Sequence, residues 1–176
     1  MSQASKHVDW CLNKAKREIE ECKKQGKRPK HRGLLKSNPD LEEAGKHLAK
    51  AEHNLSGITK FKEIGFSDWS VSAGFYCIYH CFLAIAAKYG YESSNQTCTI
   101  SLMRYLKETN KIELDEKYIE LLEYEEIGSI RKDCVIDLRE DYTYGVQISV
   151  EDEAKLNDLK KTCKELIDIT KQIIYK

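Results

Sequence analysis

The residues between Ser67 and Gly90 form the least polar stretch of a chain that is one-third charged. Only two of these 24 residues are charged, Asp68 near the start and Lys88 near the end. On a helix their apolar side chains would cover both faces, whereas a surface helix shows a single apolar stripe. Such a helix either spans a membrane or forms the central post of a bundle. Its tyrosines, cysteines and histidine suit a protein interior better than lipid, so we expect a buried central helix, capped by Ser67 and Asp68 and ended by Gly90.

The remaining chain predicts further helices. Apolar residues recur at helical spacing over about residues 5–25, 40–64, 97–106, 113–127 and 149–174, with a helical or irregular segment at 129–140. Thr97 and Ser149 are expected to cap two of these helices, and residues 91–96 and 141–147 to connect them. Glycine (9) and proline (2) are scarce, which favours long helices. The length suits one domain over residues 1–176, an all-α, up-and-down bundle of five to six helices.

Several cellular environments are disfavoured by the composition. The chain opens with the polar run MSQASKHVDW, which is unlike a signal peptide. No run of 18 apolar residues free of polar ones occurs, so we expect no membrane span and a cytoplasmic location. Seven cysteines are present, an odd number with no CxxC pair, and they are expected to be reduced and mostly buried.

Charge is unevenly distributed, although the formal net charge is zero. The first 66 residues hold 15 Lys and Arg against 9 Asp and Glu, whereas the remaining residues hold 14 against 20. The basic excess peaks in a loop predicted at residues 27–38. There Lys27, Arg28 and Arg32 are candidates for contact with the phosphates of RNA or a nucleotide. A solvated helix end and loop explains the same residues equally well, and head-to-tail contacts with the acidic half are a further alternative.

Five segments together resemble the HEPN-domain family of small, all-helical prokaryotic proteins, in particular an archaeal subgroup. They are AEHNL at 51–55, FSDW at 66–69, AGFYCIYH at 73–80, KYGYE at 88–92 and LREDY at 138–142. The resemblance covers about residues 40–175 and leaves residues 1–38 as an N-terminal helix and basic loop. It implies a homodimer, a nucleotide or RNA ligand, and a role in toxin–antitoxin or defence systems beside a minimal nucleotidyltransferase.

The resemblance also directs attention to Arg139. Ribonucleases of this family carry an arginine followed, after four to six residues, by a histidine near the dimer interface. Arg139 matches the arginine, but Tyr144, Gly145 and Val146 occupy the positions of the histidine. RNA cleavage needs a group that exchanges protons near neutral pH, and tyrosine is a poor substitute. The departure argues against ribonuclease activity, although Tyr142 and Tyr144 stay catalytic candidates beside Arg139.

Two interpretations of Arg139 stay open at this point. Its guanidinium could bind phosphate with two parallel hydrogen bonds. Alternatively it pairs with Asp137, Glu140 or Asp141 and fixes the local backbone, an interpretation that we place slightly ahead.

His80 is the second catalytic candidate, as a proton-exchanging or base-stacking residue facing a dimer cleft. A core histidine that is hydrogen-bonded to a neighbouring helix is the favoured alternative. Cys77, His80 and Cys81 share one helical face and could contact a metal ion, but three ligands from a single turn rarely converge. We therefore predict no metal site and no cofactor.

Asn95 and Gln96 could read a base edge or a ribose, next to backbone N–H groups at the start of a helix. Capping of that helix is the favoured alternative. The leading functional hypothesis is a HEPN-type protein that interacts with nucleotide or RNA. Its rival is a non-catalytic dimeric protein-interaction module.

Overall fold

The computed structural model describes residues 2–123 and 135–176. Within them seven helices and two short strands follow in the order α1 (Gln3–Lys24), β1 (Leu34–Lys36), α2 (Leu41–Glu63), α3 (Ser67–Lys88), β2 (Tyr91–Ser93), α4 (Gln96–Glu108), α5 (Glu116–Glu120), α6 (Val135–Tyr144) and α7 (Glu153–Tyr175). The prediction of an all-α helical bundle is confirmed.

Helix α3 is the central post of the bundle, as predicted. It contacts α2, α4, α6, α7 and β2, and fifteen of its 22 residues are buried. Gly74 permits a close approach of α7, because a Cβ there would lie 2.5 Å from a methyl carbon of Leu159 on that helix. The apolar faces of α3 are thus divided among several neighbours.

The same helix has the length and composition of a membrane span. Its most apolar 18-residue window has a mean hydropathy of 1.5, and 78% of that window is buried inside the bundle. A helix surrounded by its own neighbours has little apolar surface left for lipid. The burial therefore favours the central-post interpretation of the Ser67–Lys88 sequence.

Ser67 and Asp68 do not cap α3, so that prediction is wrong. Phe66 holds the N-cap position and makes no side-chain cap. The reason is the short connection from α2, which leaves Ser67 already inside the helix. Its hydroxyl instead accepts a hydrogen bond from the backbone N–H of Val150 at 2.8 Å and ties the segment before α7 to α3.

Two other predicted caps are shifted by two or three residues. Asn95, not Thr97, caps α4, and its side chain accepts from the N–H of Cys98. Asp152, not Ser149, caps α7 and accepts from the first backbone N–H groups of that helix. An extended N-cap residue with a short polar side chain satisfies these otherwise unpaired donors.

A two-stranded antiparallel sheet joins the two segments that were predicted as connections. Leu34 pairs with Ser93 and Lys36 with Tyr91. Gly90 ends α3 as predicted: its φ is +73°, and a Cβ would lie 2.6 Å from the Ser37 carbonyl. Strands of three residues carry too few side chains for a period-2 pattern, so the sequence did not reveal them.

The predicted boundaries around α5 and α6 are wrong in two places. Helix α5 is only five residues long, and the predicted segments at 113–127 and 129–140 extend into residues 124–134, outside the described residues. Helix α6 continues to Tyr144, through residues that were predicted as loop. Packing of Tyr142 beside the apolar side chains of Val71, Val150 and Leu156 outweighs the modest helix propensity of this segment.

The prediction of reduced cysteines is wrong for two of them. Cys11 on α1 and Cys98 on α4 form a disulfide across 87 sequence positions. Both lie on buried faces of helices that pack together, a proximity that sequence spacing does not reveal. Among the described residues the free cysteines are Cys22, Cys77, Cys81 and Cys163, and Cys134 lies outside those residues.

Candidate functional site

Arg139 lies on α6, where that helix packs against α3. Its guanidinium carbon lies 4.5 Å from the ring centroid of Phe75, and only 16% of its side chain is exposed. A terminal guanidinium nitrogen lies 3.8 Å from the Glu140 carboxylate, while Nε is buried without a hydrogen bond. The contacts with Glu140 and Phe75 support the structural interpretation of Arg139. The unpaired Nε–H donor supports the phosphate-binding interpretation.

An aromatic cluster on α3 supports this arginine. The Phe75 ring meets that of Tyr76 edge-on at 5.2 Å and lies nearly parallel to that of Tyr79 at 6.2 Å. A cation over an aromatic face is stabilised by the ring quadrupole, by more where water is excluded. Phe75 thus fixes the position of the Arg139 charge.

The two candidate tyrosines of α6 have different surroundings. Tyr142 is half-buried against the small apolar cluster between α3, α6 and α7, whereas Tyr144 is 75% exposed. Between them, the Thr143 hydroxyl lies 3.1 Å from that of Ser72 on α3. The structure therefore brings Arg139 and Tyr142 to one face of the molecule and leaves Tyr144 in solvent.

A cleft of about 230 Å³ opens at this junction of α3, α6 and the segment that follows α6. Its lining residues are mostly polar or aromatic: Asp68, Trp69, Ser72, Tyr142, Thr143, Gly145, Val146, Gln147 and Ile148. Trp69 is 54% exposed, and Oδ1 of Asp68 is buried without a hydrogen-bond partner. The sequence analysis named Asp68 only as a cap. It did not identify Trp69 as part of a site, nor Phe75 as the ring on which Arg139 lies. The available signal was the i, i+7 spacing of Trp69 and Tyr76, which places two large rings on one stripe of α3.

His80 occupies a different part of α3. Its Nδ1 lies 3.0 Å from Nδ1 of His47 on α2, so one ring donates and the other accepts. Burial, followed by the nearby charges of His47 and Lys50, lowers the pKa of His80 to about 4. Burial also lowers the pKa of His47. The hydrogen bond to a neighbouring helix agrees with the favoured interpretation, although His80 is half-buried and not a core histidine.

The possible metal ligands on α3 do not point to one place. His80 turns toward His47, while the buried thiol of Cys77 contacts those of Cys81 and Cys163. The hydrogen bond with Cys163 raises the pKa of the Cys77 thiol. The hydrogen bond with Cys77, together with burial, raises the pKa of the Cys81 thiol. Both thiols therefore stay protonated. Within residues 2–123 and 135–176, no group of three or more His, Cys, Asp or Glu side chains could hold a metal ion.

The polar side chains of Asn95 and Gln96 already have partners. Asn95 accepts from the N–H of Cys98 at 3.0 Å, and the Gln96 amide donates to the carbonyl of Leu122 at 2.6 Å. This geometry supports the capping alternative for Asn95. A nucleotide-binding role for either residue stays a prediction.

The basic candidates before β1 are exposed. The Lys27 ammonium donates to the side-chain oxygen of Gln25 at 2.7 Å, and the backbone N–H of Arg32 donates to the Glu18 carboxylate. Lys27, Arg28 and Arg32 all face solvent. Their contact with phosphate stays a prediction.

The fold agrees with the comparison to known families. Residues 44–175 match the family model of the HEPN domain. The chain therefore belongs to the HEPN-domain family, which is generally nucleotide- or RNA-related, and the predicted resemblance is confirmed. A search of curated proteins finds no match.

Proposed function

We propose that this HEPN-domain protein binds the phosphate of a nucleotide or RNA through Arg139, on the face formed by α3 and α6. The observation that carries the proposal is the guanidinium held over Phe75 with its Nε buried and unpaired. A pre-positioned, partly desolvated arginine binds an anionic oxygen more strongly than a mobile surface lysine does. Tyr142 supplies a ring and hydroxyl beside it.

Binding without cleavage is the activity that this arrangement favours. The family histidine is replaced, and His80 contacts His47 and Tyr79 whereas Arg139 contacts Phe75 and Glu140. A histidine with a pKa of about 4 is neutral at pH 7 and is a weak base there. Tyr142 and Tyr144 would serve for stacking or as modifiable hydroxyls.

The test is binding and cleavage of total cellular RNA and of nucleoside monophosphates, with and without chelator. We expect Arg139→Ala to weaken binding by about tenfold or more, since a hydrogen bond to a charged group contributes about 1.5–3 kcal/mol. Arg139→Lys should recover part of the loss, and binding should weaken as salt rises. Arg17→Ala, which removes an exposed arginine of α1, is the matched control. Equal binding by the Arg139 and Arg17 variants would refute the proposal.

The second candidate function is a dimeric protein-interaction module, favoured by the exposed apolar residues beside the cleft. Trp69 and Tyr76 are 54% and 45% exposed on α3, and Val146 and Ile148 are 96% and 80% exposed after α6. A second copy of the chain could bury this patch. Sedimentation of the wild type and of Tyr76→Glu tests this second function. A dimer that dissociates in the variant, together with RNA binding that does not change in Arg139→Ala, would favour the interaction module.

The predicted biological setting belongs to the same proposal. A toxin–antitoxin or defence role would pair this chain with a minimal nucleotidyltransferase in the cytoplasm. Co-purification with the product of a neighbouring nucleotidyltransferase gene is the direct measurement. A transferase that modifies the exposed hydroxyl of Tyr144 would give a mass increase lost in Tyr144→Phe.

A further inference from the structure

We propose that the cleft between α3 and α6 binds an unpaired guanine base, with the attached phosphate directed toward Arg139. This inference rests on the proposed phosphate-binding function and adds a base preference to it. It is carried by three features of the cleft: an unsatisfied carboxylate, an exposed tryptophan, and the distance along α6 to Arg139.

One oxygen of the Asp68 carboxylate lacks a hydrogen-bond donor. Oδ1 is buried, is without a partner and belongs to a residue that lines the cleft. A buried acceptor without a donor costs free energy, so a ligand that supplies N–H groups gains by pairing with it. Guanine presents two adjacent N–H donors on its Watson–Crick edge, and an ionised carboxylate accepts such a pair of donors. Adenine and cytosine present one amino group beside an acceptor that a carboxylate repels.

Trp69 supplies the surface on which such a base would stack. It is a large aromatic side chain that lines the cleft and is still 54% exposed. Stacking of a base on an aromatic ring is sequence-tolerant and accounts for affinity rather than for choice of base. Gln147, also in the lining, carries an amide donor suited to the guanine carbonyl oxygen.

The cleft and Arg139 are one helical turn apart. Thr143 lines the cleft and follows Arg139 by four residues, which is about 6 Å along the axis of α6. The Thr143 hydroxyl lies 3.1 Å from the Ser72 hydroxyl, so α3 and α6 are in direct contact at this point. A nucleotide that spans one turn would place its base in the cleft and its phosphate near the guanidinium.

The experiment uses the two tryptophans of the chain. Trp10→Phe leaves Trp69 as the single fluorescent tryptophan, and its quenching is followed during titration with guanosine, inosine and adenosine monophosphates. Inosine monophosphate lacks only the exocyclic amino group of guanine. We expect the guanine nucleotide to bind at least about fivefold more tightly than the other two, as good bidentate base contacts do.

Asp68→Asn should abolish that preference by weakening the binding of guanosine monophosphate, whereas the exposed Asp168→Asn should behave as wild type. Thermal unfolding of each variant establishes that it is folded, and Trp69→Leu is a second variant that should weaken all three nucleotides. Phosphate-dependent binding that is lost in Arg139→Ala but shows no base preference would overturn the guanine proposal alone. Absence of all binding would overturn the proposed function as well. A Trp69 signal that tracks protein concentration rather than nucleotide would assign the cleft to a second copy of the chain and refute the inference.

Discussion

Helices α1 and α3 have the same length, 22 residues, but the bundle holds them by different means. Helix α3 has fifteen buried residues and contacts five other elements, whereas α1 buries Ala4, Val8, Cys11 and Ala15 and packs mainly on α4 and β1. Helix α1 also precedes residues 44–175, the part that matches the family, and a disulfide joins it to α4. The comparison indicates that α3 is held mainly by packing, while the smaller packed face of α1 is reinforced by a covalent bond.

The largest effect should come from truncation of the α3 core. Phe82 is fully buried, so Phe82→Ala should lower the free energy of unfolding by about 3–5 kcal/mol. Phe66 stands at the start of the same helix and is 53% exposed, so Phe66→Ala should cost less than about 1 kcal/mol. Chemical denaturation of both variants measures the difference. Equal losses would contradict the central-post interpretation.

Removal of the disulfide should come next in size. Cys11→Ala combined with Cys98→Ala should cost about 2–4 kcal/mol, since a cross-link over a long loop restricts the unfolded chain. Cys22→Ala removes a free thiol on α1 and should leave the unfolding midpoint unchanged. Thiol counting by mass spectrometry under denaturing conditions checks the bond itself. A midpoint that does not respond to the double substitution would show that packing also suffices for α1.

Alanine substitution at two glycines should change the free energy of unfolding in opposite directions. Gly74→Ala should cost about 1–3 kcal/mol, because its Cβ would overlap Leu159. Gly57 on α2 faces Ala73, the residue of α3 just before Gly74, and its Cβ would meet the Ala73 side chain at an ordinary 3.4 Å. Gly57→Ala should therefore raise the free energy of unfolding by about 0.5–1 kcal/mol through helix propensity. Thermal unfolding of the two variants should show opposite shifts, and shifts of the same sign would disprove the close approach.

The smallest effect concerns the histidine pair between α2 and α3. The folded-state pKa of His80, about 4, lies below its ordinary value of 6.5. The unfolded chain therefore takes up a proton that the folded chain does not, so stability is full above pH 6.5 and falls as pH drops toward 4. Partial exposure reduces this to about 1 kcal/mol. His80→Asn should flatten the pH dependence of unfolding relative to His53→Asn, an exposed histidine of α2.

The sequence predicted the helices better than it predicted the contacts between them. The buried post was predictable because its composition differs from all other segments, and Gly90 stopped it where a left-handed residue was required. The Cys11–Cys98 pair and the β1–β2 sheet were not predictable, because each joins segments that are far apart in the chain. Local spacing carries no information about such pairings.

The site was predictable in part, and for the same reason. Arg139 was identified from a motif, but its partner Phe75 belongs to another helix and looked like ordinary core. A hydrogen bond from His80 to a neighbouring helix was expected, but neither its partner His47 nor the half-buried position of the ring could be named. The cleft at Asp68 and Trp69 was missed because it forms only where α6 continues past its predicted end.

The antiparallel pairing of β1 with β2 also has a consequence for the order of folding. Residues 34–36 and 91–93 flank the α2–α3 hairpin, so we expect formation of that hairpin to bring the two strands together. Helix α1 is joined to β1 and docks on α4, which follows β2. We therefore expect Cys11 and Cys98, which are 87 positions apart, to become neighbours after the sheet has formed. During refolding from the reduced chain, the rate at which these two thiols oxidise would report when α1 docks on α4.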